Sequence, residues 1–404
     1  MTPSTSWSLK VPEGNQVESN ASVSRIPLSQ HDLLERDLKG LAQELRNGNM
    51  VGGPRIEELS EHLTSITQQL EAVPTATYSD AARVLLLAMD IHEGDEVILP
   101  AFASTAMTQA VVSVGATPVY ADCHPRTLNI APTEVEACVT PATRAVIATS
   151  IFGNPAGLPQ LAALCGLLEI PLLEDLSGGL GGTIDGRPAG SFGWATIIDL
   201  GPYSVVGCGE GGAIITSDQP LAKRCEALRN GDDLEPSRQP GDYPGSLGLR
   251  CNLTGIQAAI AISQLRRLDD IIEARASVAA SYTQRLAGTS DIVVPTVDPG
   301  TTLGWPAFVV RLDEAYGGED RNEIVNGMER HDIGVATPWI PPPLRPQVAA
   351  RLKLPAEKQQ WLVTEYVSQR TIALPMYGGL TDRDVGLVTQ TLELMMQRST
   401  FRRG

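Results

Sequence analysis

A repeated alternation of helical and strand-like segments over residues 80–179 most constrains the fold. The helical run DAARVLLLAMD is followed by a glycine turn and the apolar strand EVILP. The same order recurs in STAMTQAVVSVG followed by ATPVYADC, and in GLPQLAALCGLLEI followed by PLLEDLSGG. Short apolar strands separated by helices are typical of a mainly parallel sheet with helices on both faces. We therefore predict an α/β fold.

The pattern changes toward the C-terminus and indicates a second domain. A long helical pattern follows the segment GLRCNLTG and runs to about Ala287; a strand (WPAFVVRL), a helix near 318–331, a proline-rich loop and a last helix come after it. We predict a large domain over residues 26–270 and a smaller α+β domain over residues 271–404. Residues 1–25 are rich in Ser, Asn, Pro and Gly and are predicted to be a disordered tail.

Composition limits the partners that we expect. The chain of 404 residues has a formal net charge of −16 and no basic cluster, which argues against nucleic-acid binding. Its apolar runs are too short to span a bilayer, and its start lacks the pattern of a secretion signal, so we expect a cytoplasmic protein without a membrane partner. The six cysteines and five histidines are scattered without metal-ligand spacing, so no metal site is predicted.

A series of motifs resembles one known family over roughly residues 26–396. In chain order they are GDEVILPAF, VGATPVYADC, IFGNPAGLPQL, PLLEDLSGG, DGRPAGSFG, GEGGAIITSD, GIQAAIAISQL and LPMYGGLTDRDV. Together they resemble the DegT/DnrJ/StrS sugar aminotransferases, of aspartate-aminotransferase-like fold (fold type I). The resemblance implies a large domain with a mainly parallel sheet of the seven-stranded type, a smaller C-terminal domain, and a homodimer with the cleft at its interface. Such proteins use pyridoxal phosphate (PLP), often in bacterial secondary metabolism.

The residue at the family's lysine position is a serine. In the family the lysine that binds PLP lies five residues before the GEGG turn, which places Ser204 there. A hydroxyl cannot form a Schiff base. The five lysines of the chain all lie outside residues 40–222, the span that builds the cofactor cleft. We therefore expect no PLP and no other cofactor, although Asp175 matches the aspartate that pairs with the pyridinium nitrogen.

Further positions around the cofactor also differ from the family. By ungapped local alignment, Ser79 and Asp80 replace the Gly-Thr of the phosphate loop, and Asp199 replaces the serine that opens the lysine loop. Ser104 stands where an aromatic residue stacks on the ring, Arg250 where the partner subunit's asparagine reaches the phosphate, and Pro338 near a common histidine. Two unit charges 4 Å apart cost about 4 kcal/mol at an effective dielectric of 20, so the two new carboxylates should oppose phosphate binding.

These comparisons lead to a candidate site and two functional hypotheses. Asp80, Asp175 and Asp199 are the candidate acid/base residues. The candidate substrate-binding residues are Tyr78, Ser79, Ser104, Tyr203, Ser204, Arg250, Asn252 and Trp339.

The first hypothesis is a PLP-independent enzyme that performs cyclisation, elimination of water or isomerisation on a small molecule bound in the former cofactor cleft. An amine-bearing substrate would offset the clustered carboxylates. The second is a non-catalytic pseudo-aminotransferase that stabilises or regulates an active partner. The carboxylates could equally form a structural salt bridge with Arg250.

Overall fold

The structure, a computed structural model, describes residues 26–47, 53–231, 248–354 and 361–403. The predicted disordered tail at residues 1–25 lies outside this part of the chain. Within it, no helix is both long enough and apolar enough to cross a membrane.

The described helices and strands alternate along the N-terminal two thirds of the chain, as predicted. The helices are α1 (Glu35–Asn47), α2 (Pro54–Thr67), α3 (Tyr78–Ala88), α4 (Thr105–Ser113), α5 (Pro132–Cys138), α6 (Leu158–Leu167), α7 (Gln219–Asn230), α8 (Gly255–Leu265), α9 (Leu268–Leu286), α10 (Gly318–Glu329), α11 (Pro346–Leu352), α12 (Leu362–Ser368) and α13 (Asp382–Arg403). The strands are β1 (Glu71–Thr75), β2 (Glu96–Pro100), β3 (Thr117–Ala121), β4 (Thr143–Thr149), β5 (Leu172–Leu176), β6 (Thr183–Ile184), β7 (Arg187–Pro188), β8 (Ala195–Asp199), β9 (Gly212–Thr216), β10 (Ile292–Val293), β11 (Thr301–Thr302), β12 (Phe308–Leu312) and β13 (Thr371–Leu374).

A seven-stranded sheet forms the centre of the molecule, in the order β1-β9-β8-β5-β4-β2-β3. Strand β9 pairs antiparallel with both of its neighbours, β1 and β8, and the other pairings are parallel. The prediction of an α/β fold with a mainly parallel sheet is confirmed. Because the parallel strands point the same way, their carboxyl ends meet at one edge of the sheet.

Both faces of the sheet are buried because alternate residues of each strand enter different cores. In β4, Val146 and Ala148 pack in a cluster with α2, α6 and α8. Ala145 and Ile147 pack in the opposite cluster, with α3, α4 and α7. This two-sided burial explains why the strands are nearly continuous apolar runs in the sequence.

The C-terminal part has its own three-stranded antiparallel sheet, β10-β12-β13. A third apolar cluster, which includes Tyr282, Phe308 and Leu392, packs α9, α10 and α13 with it. The long helical pattern is in fact two helices, α8 and α9, with Arg267 in a non-helical conformation between them. The predicted boundary at residue 270 falls in the first turn of α9; it stays a prediction.

The predicted turn in TIDGRPAG is a tight hairpin. Strands β6 and β7 pair antiparallel with Ile184 opposite Arg187. The two residues between them, Asp185 and Gly186, have φ values of 50° and 77°. Positive φ at both central residues is the requirement of a type I′ turn, which the Asp-Gly pair meets at low cost.

Candidate active site

The candidate site lies at the carboxyl edge of the central sheet. Asp175 is the second-last residue of β5, and Asp199 is the last residue of the neighbouring parallel strand β8. Helix α3 begins at Tyr78, just after β1 ends at the same edge. In open α/β sheets, ligands bind outside the carboxyl ends of the strands. The fold therefore brings Tyr78, Asp175 and Asp199 to the edge where a ligand site is expected.

Asp175 is a buried carboxyl group with fixed hydrogen bonds. It is 2% exposed. The hydroxyl of Thr149, at the end of β4, donates to Asp175 Oδ2 at 2.8 Å, and the Ser177 N–H donates to Oδ1 at 2.9 Å. Burial raises the pKa of Asp175 above its usual value, and the neighbouring Tyr78 hydroxyl together with these two donors partly offsets the shift. Sequence reasoning missed Thr149, although a polar residue at the end of an apolar strand was a usable signal.

Asp199 is partly buried, and its carboxyl group titrates near neutral pH. The Gly201 N–H donates to Asp199 Oδ1 at 2.7 Å. Burial raises the pKa of Asp199 to about 7, and the nearby charges of Asp175 and Glu210 act in the same direction. At neutral pH the group therefore exists in both protonation states, which is the condition for efficient general acid/base catalysis.

Tyr78 and Ser204 place two buried hydroxyl groups beside this pair. Burial raises the pKa of Tyr78 well above its ordinary value, and the charges of Asp175 and Asp199 add to the effect. Ser204 is 3% exposed and lies near Asp199. Neither hydroxyl completes a hydrogen bond of acceptable geometry with the described residues.

Within the described residues, the lysines are Lys39, Lys223 and Lys353, which lie on α1, on α7 and after α11. All three are exposed. The loop after β8, which carries Ser204 beside Asp199, therefore contains no lysine. This arrangement follows directly from the sequence between residues 40 and 222.

Asp80 and Ser79 have different surroundings from the pair. The Thr77 hydroxyl accepts from the Asp80 N–H at 3.1 Å and donates to Asp80 Oδ2 at 2.7 Å, so Asp80 closes the N-terminal cap of α3. Ser79 is exposed. A Thr-x-x-Asp sequence is a helix-start signal, and sequence reasoning did not use it. Ser104 is likewise an exposed cap, which accepts from the Ala106 N–H at 3.4 Å at the start of α4.

Trp339 packs in an aromatic cluster at the same edge. Its ring centroid is 5.7 Å from that of Phe102 and 5.3 Å from that of Phe152. The two phenylalanines follow β2 and β4, so the C-terminal part of the chain contacts the edge through this tryptophan. The indole Nε1 is buried and has no hydrogen-bond partner among the described residues.

The remaining predicted residues are either exposed to solvent or paired through the backbone. Arg250 is exposed, has a left-handed φ of 51°, and lies against Gly231. Tyr203 is 68% exposed. Asn252 pairs with Thr75 in an isolated antiparallel bridge. An approach of Arg250 to the carboxylates of a partner subunit stays a prediction.

Comparison with known proteins agrees with this architecture. The model of the DegT/DnrJ/EryC1/StrS aminotransferase family matches residues 31–393. The aminotransferase TlmJ from Streptoalloteichus hindustanus is 23% identical, with 93% of this chain and 100% of TlmJ covered and a TM-score of 0.83. DesV from S. venezuelae, solved in complex with a ketimine intermediate, is 27% identical over 90% of this chain and 94% of DesV, with a TM-score of 0.81.

A third similar structure is Spr1654 from Streptococcus pneumoniae, a proposed sugar aminotransferase solved in its PMP form. It is 23% identical, with 93% of this chain and 100% of Spr1654 covered and a TM-score of 0.85. Since the family model spans most of the chain, the resemblance inferred from the sequence motifs is confirmed: the protein belongs to the DegT/DnrJ/EryC1/StrS aminotransferase family.

Proposed function

We propose that this chain is a PLP-independent enzyme that uses Asp175 and Asp199 for acid/base catalysis at the carboxyl edge of the sheet. The observation that carries the proposal is the pair itself. Two carboxyl groups end neighbouring strands, and burial places the pKa of Asp199 at about 7. Perturbed carboxyl groups in a ligand-binding position are typical of catalytic sites.

The residues present do not fit PLP. Ser204 offers a hydroxyl where an imine requires an amine. The Thr77 hydroxyl at the start of α3, a position suited to a phosphate group, is already bonded to Asp80. Asp199 adds a second carboxyl group at the same edge, at the end of β8. A site with these carboxyl groups favours a neutral or cationic ligand over a phosphate dianion, so we assign no step to the cofactor.

The two carboxyl groups are suited to different tasks. Asp175 is held by Thr149 and Ser177 and is almost completely buried, which suits a group that fixes geometry and charge. Asp199 is less buried and titrates near neutral pH, which suits the group that exchanges a proton with a substrate. The charge of Asp175 also raises the pKa of Asp199, so the titration of Asp199 depends on the protonation state of its neighbour.

Reactions that need only proton transfer and positioning are within reach of this site. Asp199 as a carboxylate can take a proton from a carbon next to a carbonyl group, and as an acid it can return a proton to another atom. Isomerisation, elimination of water and ring closure can all proceed by such steps. Positioned proton transfer typically contributes about 10²–10⁴-fold to the rate.

The substrate class that we propose is a small carbonyl compound related to a keto sugar. Support comes from similarity to Spr1654, a proposed sugar aminotransferase. An amine on the substrate would interact favourably with the carboxylates. We further propose that the working unit is a homodimer, in which Arg250 of the second copy reaches the carboxylates. Bacterial secondary metabolism is the setting we propose.

Hydrogen exchange tests the catalytic proposal without knowledge of the natural product. The protein is incubated in D₂O with a nucleotide-linked keto sugar, with and without an amino group, and deuterium at the carbon next to the carbonyl is followed by NMR. We expect exchange in the wild type and a loss of at least about tenfold in Asp175→Asn or Asp199→Asn. Asp80→Asn tests the third aspartate, for which we expect a smaller loss because it caps α3.

Asp185→Asn is the matched control. It makes the same chemical change in the hairpin turn, where Asn also tolerates positive φ, and exchange should be unchanged. A wild type that catalyses no exchange with these probes would contradict the proposal and favour the non-catalytic partner. Full exchange activity in all three site variants would show that the carboxyl groups are structural.

A further inference from the structure

Tyr78 lies beside the carboxyl pair, and the acid/base assignment gives it no role. It is the first residue of α3, and its ring is buried in the core cluster between α3 and the sheet, at 8% exposure. Its hydroxyl lies close to Asp175 and Ser177, and the charges of Asp175 and Asp199 both act on it. The phenol thus approaches the pair from a helix, whereas Asp175 and Asp199 lie on strands.

The hydroxyl of Tyr78 is buried without a completed hydrogen bond. Leaving a buried polar group unpaired costs about 1–3 kcal/mol. Two other buried tyrosines avoid this cost: the Tyr120 hydroxyl bonds the Thr108 hydroxyl at 3.0 Å, and the Tyr282 hydroxyl donates to the Pro375 carbonyl at 3.0 Å. Ser204, next to Asp199, also has an unpaired buried hydroxyl. Two unpaired hydroxyls beside two carboxyls indicate a place where a ligand supplies the partners.

We propose that Tyr78 is the hydrogen-bond donor of this site and holds the oxygen of a bound carbonyl group while the Asp175–Asp199 pair moves the proton. This inference rests on the proposed function and deepens it. When a C–H bond next to a carbonyl breaks, its electron pair forms a carbon–carbon double bond and the carbonyl electrons move onto the oxygen. The proton goes to Asp199, and a donor fixed beforehand at the oxygen stabilises the developing negative charge.

The electrostatic setting of Tyr78 suits a donor. Burial and two neighbouring carboxyl groups raise the pKa of the phenol, so it keeps its proton at neutral pH. A hydroxyl beside a carboxylate also stabilises the ionised form of Asp175. Because the phenol carries a single proton, it acts on Asp175 in the free protein and donates to the carbonyl oxygen when a ligand is bound. The competing interpretation is that Tyr78 is a core residue whose hydroxyl has no task.

Tyr78→Phe tests the inference because it keeps the ring and removes only the hydroxyl. We expect the ¹³C-carboxyl titration of the pair to move to higher pH, deuterium exchange to fall at least about tenfold, and the free energy of unfolding to fall by less than in Tyr120→Phe, because the Tyr78 hydroxyl forms no hydrogen bond of acceptable geometry. Tyr120→Phe is the matched control. It breaks the bond with Thr108, so it should lower stability and change neither the titration nor the exchange.

The outcomes separate this inference from the proposed function. An unchanged titration of the pair in Tyr78→Phe shows that the hydroxyl is not coupled to it, and the inference is wrong. A shifted titration with exchange equal to that of the wild type also overturns the donor assignment. If the wild type catalyses no exchange, the proposed function fails, while a shifted titration still upholds the coupling between Tyr78 and the pair.

Discussion

Asp175 and Asp199 end two adjacent parallel strands, and the charge of Asp175 adds to the effect of burial that brings the pKa of Asp199 to about 7. This relationship follows from the strand order, because β5 and β8 are neighbours in the sheet although the β6–β7 hairpin separates them in the chain. Two carboxyl groups so placed cannot both ionise without cost. The pair therefore affects the stability of the protein.

The stability of the protein should fall as the pH rises from about 4 to about 7. The pKa of Asp199 is raised from 3.8 to about 7 in the folded state. Between these pH values the Asp199 carboxyl group is ionised in the unfolded chain and still protonated in the folded protein. A rise in pH therefore favours unfolding, and this loss of stability stops growing above about pH 7. At 1.36 kcal/mol per pH unit the contribution is at most about 4 kcal/mol. Urea unfolding of the wild type and Asp199→Asn from pH 5 to pH 8 measures it: the variant should lose less stability, and parallel curves would contradict the prediction.

PLP should form no reducible adduct at the site of the wild-type protein. Borohydride reduction followed by peptide mapping distinguishes an adduct at the site from adducts on exposed lysines. Ser204→Lys supplies the amine, yet we expect weak binding, because a carboxylate about 4 Å from a phosphate charge costs about 4 kcal/mol at an effective dielectric of 20.

The double variant Ser204→Lys, Asp199→Ser isolates that charge effect. It should bind PLP at least about 100-fold more tightly than Ser204→Lys alone, since each 1.4 kcal/mol corresponds to a factor of ten. Absorption of the aldimine is the measurement. Stoichiometric binding by the wild type, or equal affinity in the two variants, would contradict the electrostatic reasoning.

Asp122 should be one of the most important polar residues for stability. It is 7% exposed, and its Oδ1 accepts from Cys123 N–H, Thr364 N–H and the Thr364 hydroxyl, while Oδ2 accepts from Val363 N–H, all at 2.6–2.9 Å. It thus caps α12, a helix far along the chain. Asp122→Ala should lower the free energy of unfolding by about 3 kcal/mol, because buried donors lose their acceptor. Asp218→Ala, which removes one capping bond at α7, should cost about 1 kcal/mol; equal losses would contradict this account.

The alternation of helices and apolar strands predicted the sheet, and alignment with the family predicted that Asp175 and Asp199 lie close together. Strands of this class are apolar runs with polar residues at their carboxyl ends. In a parallel sheet those ends lie at one edge, independently of the conformation of the connecting loops. Tyr78 was predicted as a substrate-binding residue, but the sequence could not show that its ring is buried, because whether a tyrosine ring at a helix start faces the core or solvent depends on packing against distant strands. Nor could it find Asp122, whose partners lie about 240 residues away.

Two other differences have local causes. The predicted long helix is broken before Leu268 without a glycine or proline; there the Arg267 guanidinium donates to the Asp32 carbonyl and to Asp37 at 2.7 and 2.8 Å. These bonds come from the N-terminal segment, so a pattern within the helix could not reveal them. Asp80 was predicted from alignment with a bound phosphate, whereas its neighbour Thr77, three residues earlier, already explains it as a capping residue.

The last prediction concerns the oligomeric state and Arg250. We expect light scattering to give a homodimer at micromolar concentration. On one chain Arg250 is exposed in a left-handed conformation, a position from which it can reach a second copy. If it meets the partner's carboxyl pair, Arg250→Ala should move the titration of Asp199 to higher pH, because a nearby cation favours the ionised carboxylate. Arg144→Ala, which removes an exposed arginine paired with the buried Asp95, is the control and should leave that titration unchanged. A monomer, or a dimer in which Arg250→Ala has no effect on Asp199, would show that each chain builds its site alone.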